Sequence, residues 1–356
     1  MGFFIFVIMR EQIQKEAVEA ALKNNCGTLA IPVRSGKTKI GLEIAKNFKK
    51  TLVSYPNKSI RNSWESDAKK FNYSLNNIDF TTHISFNKHD LISYDCIIID
   101  EIDQFSENQW DEFIYIIGDN FNRLYGLTGT PPTKGIKKKF IDTYCPVIYS
   151  KKLDETVGIL QKDYEIIVHL LNPSKEKNIP LKSGKTWSEE SKINFWENKY
   201  NKSRNFMDML KLIQSIQNSK TKLEYCWKLA NKSKKCLIFL ETKEQCNNLG
   251  FHSYYSGNKN SENNLELFQK NEITHLSCVK QLSAGITFNN LNEAILLHCY
   301  ASNNKAHQRI ARCLNYSEGE KATLHILCLK NTRDEQWVKK GLEEFNQNKI
   351  TWKTIN

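Results

Sequence analysis

The chain has 356 residues, which is too long for one ordinary core and fits two domains of about 150 residues each. Hydrophobic residues make up 40% and charged residues 25%, which is ordinary for a soluble globular protein. There are 51 Lys and Arg against 39 Asp and Glu, and the resulting net charge of +12 favours a polyanionic partner such as nucleic acid. Heavy Lys, Asn and Ile usage also fits an AT-rich genome, so the net charge alone does not establish a nucleic-acid partner.

Ten cysteines are scattered along the chain, and none forms a C-x-x-C pair, which argues against a zinc site. Most lie in apolar runs such as "KKCLIFL" and "LHILCL", where a thiol behaves as a small hydrophobic side chain. We therefore expect a reducing cytosol and a cytoplasmic location, in the host cytoplasm if the source is viral. His83, His298 and His307 also lack metal-ligand spacing and are expected to be structural.

The first ten residues, "MGFFIFVIMR", contain an apolar run from Phe3 to Met9. This run is too short for a membrane span and lacks the basic flank of a signal peptide. It is typical of an added strand, or of a start codon assigned too early with Met9 as the true start. Because no other stretch approaches the length of a membrane span, we expect no membrane partner.

From Cys26 to Tyr149, short apolar runs alternate with segments of helical periodicity. The runs "TLAIPV", "TLVSYP", "DCIIID" and "RLYGLTG" have the length and β-rich composition of buried parallel strands. Between them, "KTKIGLEIAKNF" and "SIRNSWESDAKKF" have helical patterns. The alternation predicts a doubly wound α/β domain over residues 1–150.

The letters SGKT, which end a phosphate-binding loop, occur twice. The first copy lies between a predicted strand and a predicted helix, so the helix N-terminus and successive backbone N–H groups can hold phosphate oxygens. Lys37 would reach the β- and γ-phosphates, and Thr38 would ligate Mg²⁺. The glycine that the full motif places earlier is absent, because that position is Ile31. This copy consists of Ser35, Gly36, Lys37 and Thr38.

A phosphate-binding loop predicts a carboxylate at the end of another buried strand, and "IIIDEID" supplies it. Asp100, at the strand end, would hold the Mg²⁺ shell, and Glu101 would activate a water molecule. An acidic turn after a strand is the alternative explanation of these letters. This alternative explains the acidic segment poorly once the upstream SGKT is considered together with it.

Residues 151–230 are predicted to be a linker followed by bridging helices, because "NPSKEKNIPLKSGKT" is polar and contains proline. The second SGKT lies here without a preceding strand, and Thr186 with Glu189 forms a T-x-x-E capping box that predicts the start of a helix. Aromatic residues then alternate with Lys and Arg. They could stack bases or pack a helix onto a domain, and we expect the packing role. They are Trp187, Phe195, Trp196 and Tyr200.

From Cys236 the strand pattern resumes in "CLIFL", "FHSYYS", "THLSCV", "AILLHCY" and "TLHILCL", followed by a closing helix, "TRDEQWVKKGLEEF". These segments predict a second α/β domain over residues 231–356, without a clear sequence repeat.

Taken in order, these segments resemble the motifs of superfamily 2 helicases and translocases, from about Arg10 to Phe345. The resemblance is nearest to phage repair helicases and type III restriction helicase subunits. It implies two tandem RecA-like domains that bind ATP and Mg²⁺ in the cleft between them. "REQIQKEAVEAAL" is similar to the family's N-terminal Gln segment, in which Gln14, with Gln12 as the alternative, would contact adenine. "DEID" is similar to motif II.

Further segments are similar to motifs Ia ("LVSYPNKSIRNSW"), III ("LTGTPP"), IV ("CLIFLETKEQC"), V ("LSAGITFNNL") and VI ("HQRIARCLNY"). The resemblance implies three kinds of role. Motif VI would place Gln308, Arg309 and Arg312 at the γ-phosphate, so that hydrolysis depends on domain closure. Gly285 of motif V would lie at the nucleotide. The residues that would contact nucleic acid, or couple its binding to ATP, are Pro56, Asn57, Thr128, Thr130, Thr242 and Thr287.

Two residues depart from the family's pattern. Arg34 stands where the phosphate loop has its first glycine, and its cation could instead help to hold phosphate. Asn315 stands where many relatives have a last arginine in motif VI, so turnover could be slow or Arg312 alone could serve.

Three functions remain open at this stage. The first is an ATP-dependent helicase or translocase that acts on nucleic acid, with DNA favoured over RNA. The second is a nucleic-acid-binding module with a weak or degenerate ATPase, and the third is a P-loop kinase of small molecules. We further expect a monomer, with a protein partner supplying any specificity.

Overall fold

The computed structural model describes residues 2–32, 35–118, 122–157, 162–180, 184–279, 288, 291–299 and 320–355. Contacts between these residues divide them into two compact units, one ending at Val157 and the other beginning at Lys162. No helix in these ranges is long and apolar enough to cross a membrane.

The first unit contains a six-stranded sheet with the order β3-β2-β4-β5-β1-β6, in which every strand pair is parallel. Parallel neighbours need crossover connections, and helices supply most of them. The elements are α1 (Gly2–Lys23), β1 (Cys26–Ala30), α2 (Lys37–Ala45), β2 (Thr51–Tyr55), α3 (Lys58–Phe71), β3 (Ile78–Thr82), β4 (Cys96–Asp100), α4 (Glu107–Ile117), β5 (Leu124–Thr128), α5 (Ile136–Tyr144), β6 (Val147–Ser150) and α6 (Leu153–Thr156).

The strand β4 shows how the sheet is covered on both faces. Successive side chains of a strand point to opposite faces. Ile98 joins the apolar cluster that contains residues of α1, α2 and α3. Ile97 and Ile99 join the opposite cluster, with residues of α4 and α5. A continuous apolar run is therefore required in β4, and its carboxyl end is held rigidly between two cores.

The second unit contains a seven-stranded parallel sheet with the order β11-β12-β10-β13-β14-β7-β15, and a separate antiparallel pair, β8-β9. Its elements are β7 (Asp163–Leu171), β8 (Ile179–Pro180), β9 (Thr186–Trp187), α7 (Glu189–Ser203), α8 (Phe206–Gln217), α9 (Lys220–Ala230), β10 (Cys236–Leu240), α10 (Lys243–Leu249), β11 (His252–Tyr254), α11 (Ser261–Gln269), β12 (His275–Val279), β13 (Glu293–Leu296), β14 (Lys321–Leu329), α12 (Arg333–Gly341) and β15 (Ile350–Ile355).

The predicted fold class, two α/β domains with parallel sheets, is confirmed. The strands that the sequence did not predict are mostly edge strands: β3, β6 and β15 each end a sheet, and each keeps exposed or half-exposed positions. A strand with one solvent-exposed face has no continuous apolar run. The apolar run that predicts the central strands is therefore weak in these three.

Two predicted segments have a different structure. The apolar N-terminal run does not form an added strand, because Gly2–Lys23 is one helix, α1. Residues 151–230, predicted to be a linker and bridging helices, contribute β7 to the second sheet between β14 and β15. Residues of α7, α8 and α9 pack on the core of the same unit, so this stretch belongs largely to the second domain.

Candidate functional site

Three neighbouring central strands of the first sheet end together. Ala30 of β1 pairs with Thr128 of β5, and Asp100 of β4 pairs with Leu127 of β5. The Ile31 N–H donates to the Thr128 carbonyl at 2.9 Å and extends this pairing past the end of β1. Ligands of open parallel sheets bind outside the carboxyl ends of the strands, so this edge is the candidate binding site.

The first SGKT forms the connection from this edge into α2. Gly36 caps the helix in the left-handed conformation, with φ of +87°, a region that glycine occupies at little cost. The Ser35 hydroxyl donates to the Pro32 carbonyl at 2.8 Å, and Lys37 and Thr38 are the first two residues of α2. The unpaired N–H groups of a helix N-terminus attract anions, so the predicted strand–loop–helix arrangement is present. Arg34 lies outside the described residues.

Gln14 of α1 lies against this loop. Its Nε2 donates to the Ser35 carbonyl at 2.9 Å, and a Cβ at Gly36 would lie 2.3 Å from that same nitrogen. The Gln14 side chain is buried, and its Oε1 has no hydrogen-bond partner within the described ranges. A buried acceptor without a partner can accept a hydrogen bond from an N–H group of a ligand. Gln12 instead donates to Glu16 at the surface, so Gln14 is the glutamine at this site.

Two acidic residues face the loop from the end of β4. The Nζ of Lys37 lies 3.7 Å from Oε1 of Glu101, and both side chains are largely buried. Asp100 accepts a hydrogen bond at Oδ2 from the indole N–H of Trp64, at 2.9 Å. Burial raises the pKa of the Asp100 carboxyl to about 6, and the negative charge of Glu101 adds to the shift. The structure thus brings Lys37, Asp100 and Glu101 to one edge, as the sequence predicted.

Asp103 is a buried member of the site that the sequence analysis did not select. Its Oδ1 accepts from the Thr128 hydroxyl at 2.7 Å, and that hydroxyl accepts from the Thr130 N–H at 3.0 Å. Lys137 donates to the Asp103 carbonyl at 2.8 Å. Burial, followed by the charge of Glu101, raises the pKa of the Asp103 carboxyl to about 6. The fourth letter of "DEID" was the available signal for this residue.

His83 lies behind the acidic segment. Its Nδ1 is 2.7 Å from the Ser54 hydroxyl, and its ring packs edge-on against Phe105. Burial lowers the pKa of the imidazole to about 4, so His83 is neutral at pH 7. Backbone groups of Asp100 and Glu101 are among its electrostatic neighbours, which makes His83 a structural support for the segment.

The remaining predicted residues are distributed between the two units. Pro56 and Asn57 directly follow β2, at the same sheet edge as Asp100. Thr242, in the second unit, is the N-cap of α10, and its hydroxyl accepts from the Gln245 N–H at 3.2 Å. This bond is a sufficient structural reason for Thr242. The predicted residues that lie outside the described ranges are Gly285, Thr287, Gln308, Arg309 and Arg312.

The second SGKT has a different setting. It follows the two-residue strand β8 and ends in β9, where Thr186 pairs with Pro180. The predicted Thr186–Glu189 capping box is not formed. Ser188 is the N-cap of α7 and accepts from the Ser191 N–H at 3.1 Å. Lys185 is exposed in this short connection, and no helix N-terminus directly follows it.

The aromatic residues of α7 are divided between the core and the surface. Trp196 and Tyr200 pack against the apolar cluster of the second unit, so the expected packing role is confirmed for these two. The ammonium groups of Lys199 and Lys211 lie 5.0 and 4.8 Å from the Trp196 ring centroid. Phe195 remains 45% exposed.

Comparisons with known proteins find helicases and a DNA translocase among the proteins similar to this chain. A sequence model of the helicase conserved C-terminal domain matches residues 220–317. The chain is 22% identical to the DNA 3'-5' translocase XPB2 of Sulfurisphaera tokodaii, over 90% of this chain and 82% of that protein.

Two solved structures have a similar fold. The helicase domain of Hef from Pyrococcus furiosus matches with a TM-score of 0.52 and 12% identity, over 92% of this chain and 96% of that one. The ATP-dependent type ISP restriction-modification enzyme LlaBIII, bound to DNA, matches with a TM-score of 0.62 and 13% identity. That match covers 97% of this chain and 31% of LlaBIII, so the chain spans under a third of that enzyme.

Proposed function

We propose that this chain is a superfamily 2 helicase or translocase, which hydrolyses ATP with Mg²⁺ and couples hydrolysis to movement along nucleic acid. The observation that carries the proposal is the approach of Lys37 to Glu101, 3.7 Å apart beside Asp100 at the carboxyl edge of the first sheet. A phosphate-binding lysine, a metal-binding carboxylate and a water-activating carboxylate are the groups that this chemistry needs.

The residues at the loop fit a nucleotide. The N-terminus of α2 and the left-handed Gly36 offer backbone N–H groups to phosphate oxygens. The Oε1 of Gln14, which has no partner among the residues that the structure describes, would accept from the exocyclic amine of adenine. Thr38 and Asp100 would hold Mg²⁺ through oxygen ligands and water, and the metal would neutralise charge on the phosphates. Arg34 and Gly285 are further proposed contacts of the nucleotide.

The pairing of Lys37 with Glu101 suggests how the base is controlled. The ammonium of Lys37 lies next to the Glu101 carboxylate. A phosphate group is a stronger partner for Lys37, and its binding would free Glu101 to orient and deprotonate a water molecule. The same Lys37 would then bind substrate and release the base.

The second unit is proposed to complete the site from motif VI. Gln308, Arg309 and Arg312 would face the γ-phosphate when the two units close around ATP. Charge develops on the transferred phosphoryl group, so an arginine delivered by closure would make hydrolysis depend on the state of both units.

DNA is the proposed nucleic acid. The net charge of +12 favours a polyanion, a relative is named as a DNA translocase, and LlaBIII was solved with DNA. Pro56, Asn57, Thr128, Thr130 and Thr287 would contact the strand or relay its presence to the nucleotide. Thr242 would act through the position of α10, which it caps. We propose a monomer whose specificity comes from a protein partner.

The proposal is tested with Glu101→Gln. This variant should bind ATP as the parent does and lose turnover by about 10²–10⁴-fold, because a general base acts in the transition state. Glu107→Gln is the matched control, since Glu107 is exposed in the first turn of α4. ATP hydrolysis is measured with and without single-stranded and duplex DNA and RNA, and ATP binding is measured separately.

The assay also separates the alternatives. Parental turnover in Glu101→Gln contradicts the assignment of the base. A parent protein that binds nucleic acid and ATP without hydrolysis supports a binding module with a degenerate site, the reading that Arg34 and Asn315 favour.

A further inference from the structure

The indole of Trp64 forms a buried polar contact that the proposed mechanism does not use. Trp64 lies in α3 and is fully buried, and its Nε1 donates to Oδ2 of Asp100 at 2.9 Å. An indole N–H can only donate, and an ionised carboxylate can only accept. A hydrogen bond to a charged group is stronger than a neutral one, and burial in a low dielectric strengthens it further.

A glycine in α2 makes room for this ring. A Cβ at Gly41 would lie 2.2 Å from Cη2 of Trp64, closer than any real contact. Glycine inside a helix costs about 1 kcal/mol relative to alanine, so its presence in the buried part of α2 needs a packing reason. Contact with the Trp64 ring supplies that reason. Phe80 of β3 packs edge-on against the same ring at 6.1 Å and limits its rotation.

Packing alone does not require the hydrogen bond. Trp110 of α4 is equally buried in the same unit, and its Nε1 has no hydrogen-bond partner among the described residues. An indole in this domain can therefore be buried without a bonded N–H. The N–H of Trp64 is directed at the carboxylate proposed to hold the metal shell.

We infer that Trp64 is a positioning residue for the metal site: its N–H fixes the rotation of the Asp100 carboxylate, and Gly41 of α2 leaves the space that the indole needs. The inference rests on the proposed function, because it gives a residue besides Thr38 and Asp100 a part in magnesium binding. It also connects α2, which begins at Lys37, with β4, which ends at Asp100, through one side chain of α3.

The test is Trp64→Phe, which keeps an aromatic ring and removes the N–H. Loss of a residue that orients a metal ligand typically costs about 10–100-fold in metal affinity. We expect Mn²⁺ bound with ADP to dissociate about tenfold more readily, measured by electron paramagnetic resonance. The Mg²⁺ concentration for half-maximal ATP hydrolysis should rise in parallel, while KM for ATP at saturating Mg²⁺ stays at the parental value.

Trp110→Phe is the matched control, because it removes the same atoms from a core of the same unit and no bond to Asp100. It should leave both metal measurements at the parental values. Equal metal affinities in Trp64→Phe and Trp110→Phe, or equal losses in both, would overturn the inference.

Gly41→Ala provides an independent route if Trp64→Phe does not fold. The added methyl group displaces the indole and should weaken Mn²⁺ binding in the same direction. A folded Gly41→Ala protein with parental Mn²⁺ affinity contradicts the inference. Failure of the parent to hydrolyse ATP would instead count against the proposed function, and the Mn²⁺ measurement would still decide the role of Trp64.

Discussion

Glu101 adopts a left-handed backbone conformation, with φ of +54°, directly after β4. This sparsely populated conformation costs a residue with a Cβ about 1–3 kcal/mol, and it persists where the surrounding structure stabilises it. Asp100 before it is fixed by Trp64, and Asp103 after it is fixed by Thr128. The carboxylate of Glu101 is thereby directed towards Lys37, at the cost of local strain.

The two lysines of the SGKT copies give a direct test at this scale. Lys37→Ala should abolish ATP hydrolysis, because Lys37 begins α2 and lies beside Glu101. Lys185→Ala should leave the rate nearly at the parental value, because Lys185 is exposed between the short strands β8 and β9. Steady-state ATPase rates of both variants provide the measurement. Equal losses in the two variants would contradict the assignment of the first SGKT as the phosphate loop.

Among the elements, α9 and α12 are joined by a fully buried ion pair. The Nζ of Lys222 lies 2.5 Å from Oδ2 of Asp334, and neither side chain is exposed. The Leu329 N–H also donates to Oδ2, at 2.9 Å, which connects the end of β14. Burial by itself would raise the pKa of the Asp334 carboxyl, but the Lys222 ammonium and His298 outweigh burial and hold it below its ordinary value.

Lys222→Met should destabilise the second unit by about 3–5 kcal/mol, because it leaves the Asp334 charge buried without its cation. Lys220→Met is the matched control, since its ammonium is exposed and lies 3.9 Å from Glu224, and it should cost far less. Denaturant unfolding followed by circular dichroism measures both. A loss in Lys222→Met no larger than in the control would contradict the assigned role of the pair.

The same pair predicts an acid response. Asp334 has a lowered pKa in the folded protein, so its contribution is present above the ordinary Asp pKa and is lost as the pH falls through the lowered value. The difference in unfolding free energy between the parent and Asp334→Asn should therefore shrink towards low pH. A difference that stays constant into strongly acidic solution would contradict the ion pair as its source.

At the scale of the whole molecule, the proposed coupling depends on both units. Two separate parallel sheets, each with its own core, provide bodies that can each keep their shape. The candidate phosphate loop belongs to the first unit, whereas the segment similar to motif VI follows β13 of the second unit in sequence. Nucleic acid that contacts both would favour closure and should stimulate hydrolysis.

Arg312→Ala should remove the stimulation of ATP hydrolysis by DNA and leave ATP binding largely intact, because the arginine acts on the transition state. Stimulation in the parent should weaken at higher salt, since Lys and Arg contacts to the phosphate backbone release counterions. Rates are measured against DNA concentration at two salt levels. Arg333→Ala is the control, as Arg333 packs over Tyr200 and has no proposed role at the nucleotide. An undiminished stimulated rate in Arg312→Ala would exclude the two-domain mechanism.

The sequence by itself predicted the central strands other than β7, the first SGKT as a candidate phosphate loop and the acidic segment at the end of β4. Each is a local pattern: a strand buried on both faces requires a continuous apolar run, and a helix after a glycine-containing loop requires few residues to specify it. The same reasoning could not find β3, β6 or β15, because strands at the edge of a sheet keep polar positions on their wet faces.

Tertiary structure decided the contacts between residues far apart in the chain. Trp64 reaches Asp100, Thr128 reaches Asp103 and Lys222 reaches Asp334 only after the sheets have brought their elements together. The pairing itself has no local signature, because which buried indole, threonine or lysine meets a given carboxylate depends on what lies opposite it in the folded protein. The candidate residues of the site were therefore readable from short motifs, whereas the side chains that hold them in place were set by the packing of parallel strands and their helices.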